Sequence, residues 1–208
     1  MTGGCDSLAR AVFLDRDGTL IEEVGYLERV ERVFLYPWSI DAVRLLNRAG
    51  LRVVVVTNQA GVARGYFTEA LVEEVHRHID ALFAAGGARI DGYYYCPHHP
   101  DGRVETYRRQ CDCRKPGRGL VDRAARELGI DPARSFVVGD RWLDIEMAQA
   151  VGARSILVRT GYGVTDEERR HDITADAIAD NLVGATSWIL RNLQSSNNNL
   201  QSAVSNRQ

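Results

Sequence analysis

Residues 11–19 read Ala11-Val12-Phe13-Leu14-Asp15-Arg16-Asp17-Gly18-Thr19, and the rest of the fold can be built outward from them. Its short apolar run is bounded by turn signals, so it predicts a buried strand. Asp15 and Asp17 then follow the carboxyl end of that strand, where open α/β sheets bind their ligands. Two neighbouring buried carboxylates are costly unless a cation neutralises them, and Mg²⁺ prefers oxygen ligands. The stretch therefore predicts a magnesium-binding pair of carboxylates at one edge of a sheet.

Apolar runs typical of strands alternate with amphipathic runs typical of helices along most of the chain. Strands are predicted at residues 51–56, 90–95, 135–138 and 155–158, and helices at 37–50, 68–85, 120–128, 143–151 and 182–193. This alternation predicts an α/β fold, a Rossmann-like parallel sheet with helices on both faces. Thr57 and Asp140 also follow strands, so we expect them to share one crevice with Asp15 and Asp17.

The composition is that of an ordinary soluble protein. The 208 residues carry a net charge of -2 and are 45% hydrophobic, which predicts a single domain over residues 1–193 and gives no field that would hold nucleic acid. No apolar run approaches the roughly 20 residues that span a bilayer, so we expect no membrane contact. The N-terminus does not resemble a signal peptide, which predicts a cytoplasmic protein, and we expect a monomer. Residues 194–208 are rich in Ser, Asn and Gln, which predicts a disordered polar tail.

The carboxylates and their neighbours suit phosphoryl transfer. A carboxylate such as Asp15 can attack phosphorus and form an aspartyl-phosphate. Asp17 would protonate the leaving oxygen and then take a proton from the hydrolytic water. Asp140 would complete a Mg²⁺ site with Asp15 and the backbone carbonyl of Asp17. Thr57 and Lys115 would hold the phosphoryl oxygens, the lysine as a point charge.

Four short motifs resemble, in order, those of the haloacid dehalogenase superfamily of phosphatases. They are Asp15-Arg16-Asp17-Gly18-Thr19, Thr57-Asn58-Gln59, Lys115 and Gly139-Asp140-Arg141-Trp142-Leu143-Asp144. The resemblance covers residues 10–160 and implies the roles assigned above. Segments 18–36 and 58–90 are too short for a cap domain, so we expect a capless hydrolase. A phosphomutase or phosphotransferase would need a cap to exclude water or a second substrate site.

Asp144 lies one turn into the helix that follows Asp140. Three roles stay open for its carboxylate. It caps the helix terminus or interacts with the helix dipole, it holds a water on the magnesium ion, or it binds Lys115.

The insertion at residues 96–115 is rich in cysteine and histidine. Three cysteines and one histidine form a tetrahedral zinc set, and four protein ligands would make the ion structural. The candidate ligands are Cys96, Cys111, Cys113 and either His98 or His99. Reduced thiols without a metal, or a Cys111–Cys113 disulfide, are the alternatives, although neither the spacing nor the compartment favours the disulfide. A zinc ion here would fix the loop that carries Arg114 and Lys115.

Within the superfamily, two segments of this insertion narrow the resemblance. Cys96-Pro97-His98-His99-Pro100-Asp101-Gly102 and Cys111-Asp112-Cys113-Arg114-Lys115-Pro116, with Gly25-Tyr26, resemble the D-glycero-D-manno-heptose 1,7-bisphosphate 7-phosphatases. These are Mg²⁺-dependent, zinc-bearing enzymes of bacterial nucleotide-heptose synthesis. The resemblance implies that His98 is the zinc ligand. It also implies substrate contacts from Glu23, Val24, Gly25, Tyr26, Asn58, Gln59, Ala60 and Arg114.

The substrate of such a site has alternatives. Histidinol-phosphate phosphatases share the zinc loop, but their substrate has an amine in place of a second phosphate. Arg114 beside Lys115 favours a doubly anionic substrate, which the planar guanidinium would bind at its second phosphate. A third interpretation is a non-catalytic binding module organised by zinc, which would have lost one of the acids or Lys115, and none is lost.

Overall fold

In the computed structural model, residues 8–169 and 173–205 are described, with side chains up to residue 168 and over 173–193. The strands are β1 (Ala11–Leu14), β2 (Arg52–Asn58), β3 (Gly92–Cys96), β4 (Phe136–Gly139), β5 (Arg154–Val158) and β6 (Ala177–Ala179). The helices are α1 (Ser39–Arg48), α2 (Gly61–Arg64), α3 (Glu69–Ala85), α4 (Gly119–Leu128), α5 (Trp142–Val151), α6 (Gly163–Arg169) and α7 (Leu182–Ser205). Within these residues the strands form one sheet in the order β3-β2-β1-β4-β5-β6, and every neighbouring pair is parallel.

The central strand β1 is buried along its whole length and separates two apolar layers. Successive side chains of a strand point to opposite faces. Val12 and Leu14 pack in one layer with side chains of α1, α3 and α7, whereas Ala11 and Phe13 pack in the other with α4 and α5. The predicted α/β fold, a parallel sheet with helices on both faces, is therefore confirmed.

The structure differs from the sequence prediction at the carboxyl-terminal end. The sequence does not predict strand β6, because its three residues are too few to show a period; they lie at the edge of the sheet, and Ile178 is exposed. Helix α7 continues to Ser205, whereas the sequence predicts a disordered tail from residue 194. Asn and Ser are weak helix formers, but extending an existing helix adds one hydrogen bond per residue ordered and needs no new nucleus. Residues 206–208 lie outside the described part.

None of the helices in the described ranges has the length and apolar character that a bilayer-crossing helix needs. Connections at the carboxyl ends of β1, β2 and β4 lie at one edge of the sheet, since the strands are parallel. This edge holds the residues that the sequence assigned to chemistry.

Candidate active site

Three carboxylates meet where β1 and β4 end. Asp15 follows β1 directly, Asp140 follows β4, and Asp144 lies in the first turn of α5. Their carboxylate oxygens lie within 4.8 Å of one another, and all three residues are buried. Parallel pairing of β1 with β4 brings the first two together, and the turn between β4 and α5 brings the third.

Lys115 is the cation that faces this cluster. Its side chain is 3% exposed, and Nζ lies 2.9 Å from Asp15 Oδ2 and 2.6 Å from Asp144 Oδ1. Nζ also donates to the carbonyl of Val56 at 3.1 Å. Burial alone would lower the pKa of Lys115, but the charges of Asp144 and Asp15 raise it above its ordinary value. The lysine therefore stays protonated.

Asp144 combines two of the roles left open by the sequence. One carboxylate oxygen binds Lys115, and the other accepts a hydrogen bond from the backbone N–H of Arg141 at 3.2 Å, at the start of α5. Burial raises the pKa of Asp144 to about 7 even though Lys115 opposes the shift.

Asp140 is the least satisfied of the three carboxylates. Oδ2 accepts a hydrogen bond from the backbone N–H of Tyr162 at 2.8 Å, but Oδ1 is buried and has no partner among the described residues. Burial raises the pKa of Asp140 to about 8, and the negative charges of Asp15 and Asp144 add to the shift. Three acids share one lysine, so the site carries an excess of negative charge. A divalent cation that prefers oxygen ligands would balance this charge and give Asp140 Oδ1 a partner.

Two glycines enclose the Asp140 carboxylate. A Cβ on Gly18 would lie 2.3 Å from Asp140 Oδ2, and one on Gly161 would lie 2.2 Å from the same oxygen. Both glycines have positive φ, at +78° and +56°, so a side chain would be strained as well as crowded. The hydroxyl of Thr160 donates to the carbonyl of Gly18 at 2.5 Å and ties the two segments together.

Asp17 lies apart from the three-carboxylate cluster and is held by its neighbours. Its Oδ2 accepts hydrogen bonds from Arg16 Nε at 3.1 Å and from Gln59 Nε2 at 2.9 Å. Gln59 Nε2 also lies 2.9 Å from the hydroxyl of Thr57, which is buried. The Nε2 group of Gln59 is therefore engaged with the acid-base candidate and with the threonine, and its contact with substrate stays a prediction.

Nearly all of the predicted site residues line one cleft. The predicted residues that line it are Asp15, Asp17, Glu23, Gly25, Tyr26, Thr57, Asn58, Gln59, Ala60, Arg114, Lys115 and Asp140. Val24 is the exception among the predicted substrate contacts, because its side chain packs against the core and its carbonyl accepts a hydrogen bond from Arg32. The cleft also includes Leu27, Gly61 and Phe67, which no motif indicated, together with Arg141, Leu143 and Asp144 of the fourth motif.

The Asn58 side chain binds the backbone of Lys115 at one wall of this cleft. Its Oδ1 accepts from the backbone N–H of Lys115 at 3.0 Å, and its Nδ2 donates to the carbonyl of the same residue at 3.2 Å. The asparagine therefore fixes the backbone that carries the catalytic lysine candidate to the end of β2.

The cysteine and histidine side chains of the insertion converge on one point. Sulfur atoms of Cys96, Cys111 and Cys113 lie 3.1 to 3.5 Å apart, and His98 Nδ1 lies 3.3 Å from Cys113 Sγ. Ligands about 2.3 Å from a tetrahedral zinc ion are about 3.7 Å from one another, so a small expansion admits the ion. The cysteines are free thiols, which does not support a Cys111–Cys113 disulfide.

His99 points away from these sulfur atoms. Its Nδ1 accepts from the backbone N–H of Asp101 at 3.1 Å, and its Nε2 lies 3.3 Å from Arg64. The geometry therefore groups His98 with the three cysteines.

The arrangement agrees with comparisons to known proteins. Residues 112–185 match a family model described as HAD-hydrolase-like. Together with the acids and lysine at the sheet edge, this match defines the class: the protein is a HAD-like hydrolase.

Curated relatives narrow the class. The chain is 45% identical over 173 residues to the D-glycero-beta-D-manno-heptose-1,7-bisphosphate 7-phosphatase of Escherichia coli K12, covering 82% of this chain and 90% of the relative. The Haemophilus ducreyi protein of the same name is 41% identical over 174 residues, which cover 82% of this chain and 95% of that relative. This chain belongs to the family of D-glycero-beta-D-manno-heptose-1,7-bisphosphate 7-phosphatases.

A solved structure has the same architecture. The D,D-heptose 1,7-bisphosphate phosphatase of B. bronchiseptica, crystallised with magnesium and phosphate, superimposes with a TM-score of 0.79 at 29% identity. The match covers 88% of this chain and 99% of that one.

The raised pKa values of Asp140 and Asp144 predict how stability depends on pH in magnesium-free protein. The folded state keeps these protons up to about pH 7 and about pH 8, whereas ordinary aspartates release them near 3.8. Between these pH values, unfolding releases protons. The two carboxyl groups therefore contribute their full stabilisation below the ordinary aspartate pKa, and this contribution is lost as pH rises through their pKa values in the folded state. Added Mg²⁺ should restore stability at the alkaline end.

The measurement is urea unfolding at several pH values, without chelator so that any bound zinc stays in place. Asp140→Asn is the matched variant, and its unfolding free energy should fall less steeply with pH. A magnesium-free protein whose stability rises over this range would contradict the electrostatic account of the cluster.

Proposed function

We propose that this cleft removes the 7-phosphate of D-glycero-β-D-manno-heptose 1,7-bisphosphate through an aspartyl-phosphate intermediate, in the synthesis of nucleotide-activated heptose. One observation carries the proposal. Asp15, a buried carboxylate at the end of the central strand, pairs with the buried cation Lys115 at 2.9 Å and lies beside a second buried acid, Asp140. The names of the curated relatives support the choice of sugar and anomer.

Asp15 is the proposed nucleophile. Its carboxylate oxygen forms a bond to phosphorus while the bond from phosphorus to the sugar oxygen breaks. Lys115, close to this carboxylate, would offset the charge of the incoming phosphoryl oxygens, and the Thr57 hydroxyl would donate a hydrogen bond to one of them. Because Lys115 is held by Asp144 and Val56, its ammonium is oriented before substrate arrives.

Asp17 is the proposed acid and base. It gives a proton to the leaving sugar oxygen in the first step. It then takes a proton from the water that attacks phosphorus, which breaks the bond to Asp15 and releases inorganic phosphate. The carboxylate lines the same cleft as Asp15, which suits a residue that acts on both oxygens.

Asp15, Asp140 and the backbone carbonyl of Asp17 are the proposed ligands of Mg²⁺. When bound, the ion offsets the negative charge that would otherwise repel a phosphate from this cluster. Asp144 keeps its bond to Lys115 and is not needed as a direct ligand.

Cys96, His98, Cys111 and Cys113 are the proposed ligands of a structural Zn²⁺. The ion would fix the segment between Cys113 and Lys115, whose Arg114 side chain donates to the carbonyl of His98 at 3.4 Å. Arg109 Nη2 lies 2.6 Å from His98 Nε2. A neutral imidazole that binds zinc through Nδ1 carries its proton on Nε2, so Arg109 would turn away on zinc binding.

The zinc proposal predicts about one zinc ion per chain in protein purified without chelators. His98→Ala should lose that zinc, because three thiolates remain and the fourth ligand is gone. His99→Ala is the matched control and should keep it. Elemental analysis of the three proteins tests the assignment, and zinc-free wild-type protein would contradict it.

The nucleophile assignment predicts that Asp15→Asn lowers kcat by about a thousandfold or more while the protein stays folded. The amide keeps the shape of the side chain but cannot attack phosphorus. Asp41→Asn, an exposed acid on α1, should retain wild-type turnover. Phosphate release and circular dichroism are the measurements. An Asp15→Asn protein that turns over within tenfold of wild type would remove Asp15 from the mechanism.

Arg114 is the proposed contact for the second phosphate, since it lines the cleft beside Lys115. Loss of a charge-assisted hydrogen bond costs about 1.5–3 kcal/mol, so Arg114→Met should raise KM for the bisphosphate about 10- to 100-fold. Its effect on heptose 7-phosphate should be small, because that substrate lacks the second anion.

Steady-state kinetics on both heptose bisphosphate anomers and on histidinol phosphate would decide between the substrates. Preference for histidinol phosphate would overturn the heptose proposal.

A cytoplasmic monomer acting on a small sugar phosphate is the setting that we propose for this chemistry. The near-neutral net charge of -2 gives no reason to expect nucleic acid as a partner.

A further inference from the structure

A buried arginine separates the two acids of the first motif. Arg16 is 2% exposed, and its guanidinium forms a two-pronged contact with Asp17. Nε donates to Oδ2 and Nη2 donates to Oδ1, both at 3.1 Å, and Nη2 also lies 3.0 Å from Oδ2. A planar guanidinium that makes two parallel hydrogen bonds fixes the orientation of the carboxylate as well as its position.

The third nitrogen of the same guanidinium faces a histidine from a distant helix. Arg16 Nη1 lies 3.3 Å from Nε2 of His76, which belongs to α3 and is 7% exposed. Arginine has no acceptor, so the imidazole must be neutral and accept through Nε2. Burial, helped by the charge of Arg16, lowers the pKa of His76 to about 3, so this acceptor persists at physiological pH.

The imidazole itself is held in place by the sheet. Its ring stacks on Tyr93 of β3, with centroids 4.7 Å apart and planes at 21°, and meets the edge of Tyr95 at 5.7 Å. Helix α3 and strand β3 therefore fix the imidazole, the imidazole fixes the guanidinium, and the guanidinium fixes Asp17.

The hydrogen bonds of Asp17 identify which oxygen is free to carry a proton. Oδ2 accepts from Arg16 Nε and from Gln59 Nε2, which occupies both of its lone pairs. Oδ1 accepts only from Arg16 Nη2 among the described residues, which leaves one lone pair. Oδ1 is therefore the oxygen with room for a proton that is given to the leaving oxygen or taken from water.

We propose that His76 is a positioning residue for proton transfer by Asp17, acting through Arg16. Without the acceptor on His76, the Nη1–H of Arg16 would be buried and unpaired, which is costly. The guanidinium would rotate toward another acceptor, and its two-pronged contact with Asp17 would be lost. This inference rests on the proposed function, because it needs Asp17 to be the acid and base.

The leaving group distinguishes this role from a structural one. A sugar alkoxide needs a proton as it departs, whereas the p-nitrophenolate ion of p-nitrophenyl phosphate departs without one. The ratio kcat/KM reports the step in which the leaving group departs. His76→Leu should therefore lower kcat/KM for the sugar phosphate about 30- to 100-fold, as expected for a misplaced acid, and leave p-nitrophenyl phosphate within about threefold.

Three further variants complete the test. His76→Gln places an amide oxygen where Nε2 was and should recover at least a third of wild-type kcat/KM. Arg16→Lys keeps the charge but loses the fork, so it should show the same leaving-group-dependent loss as His76→Leu. His78→Leu, two residues along the same helix, is the control and should match wild type. Thermal unfolding of each variant confirms that it is folded.

Different measurements test the role of His76 and the choice of substrate. Substrate preference is read from the wild-type protein alone, whereas the inference is read from variant-to-wild-type ratios on whichever sugar phosphate the wild type hydrolyses. Equal losses on both leaving groups, or no loss on the sugar phosphate, in folded His76→Leu and Arg16→Lys would overturn the inference. Failure of His76→Gln to exceed His76→Leu would also overturn it.

Discussion

Three buried carboxylates around one buried lysine are the constraint on which the rest of this structure depends. One carboxylate oxygen from each of Asp15, Asp140 and Asp144 lies within 4.8 Å of the other two. Lys115 balances only part of their negative charge. Burying such a cluster is unfavourable unless a further cation enters, and the cost appears as raised pKa values of Asp140 and Asp144. The same imbalance makes the edge of the sheet a place where a divalent ion and then a phosphate can bind.

The surrounding chain is built to hold this cluster. Gly18 and Gly161 bring backbone against Asp140 at distances that a side chain would forbid. Asn58 fixes the backbone of Lys115, and the cysteine-histidine cluster holds the segment just before it. Rigid strand ends and a fixed loop thus supply groups whose orientation is set before substrate binds, which is the source of most electrostatic stabilisation in enzymes.

The sequence predicted the parts of the site that follow from strand ends. Asp15, Thr57 and Asp140 could be placed together because apolar runs ending in polar residues mark the carboxyl edge of a parallel sheet. The role of Lys115 was predicted from the resemblance of its motif, and the candidate zinc ligands were predicted from the clustering of cysteines. No local sequence pattern indicated which distant segments would contact each other. The closeness of Gly161 to Asp140, the link from Gln59 to Asp17 and the inward packing of Val24 depend on tertiary structure. Strand β6 was missed because three edge residues carry too little periodicity.

The proposed chemistry requires that Asp15 is phosphorylated during turnover and that a divalent ion at Asp140 makes this possible. The most direct measurement is acid quenching of the enzyme during turnover, followed by peptide mass spectrometry that locates any phosphoryl group. The account predicts a phosphorylated Asp15 when Mg²⁺ is present and an unmodified Asp15 when it is withheld. Turnover with Mg²⁺ that leaves Asp15 unmodified at every quench time, or a phosphorylated Asp15 formed without any divalent ion, would contradict it.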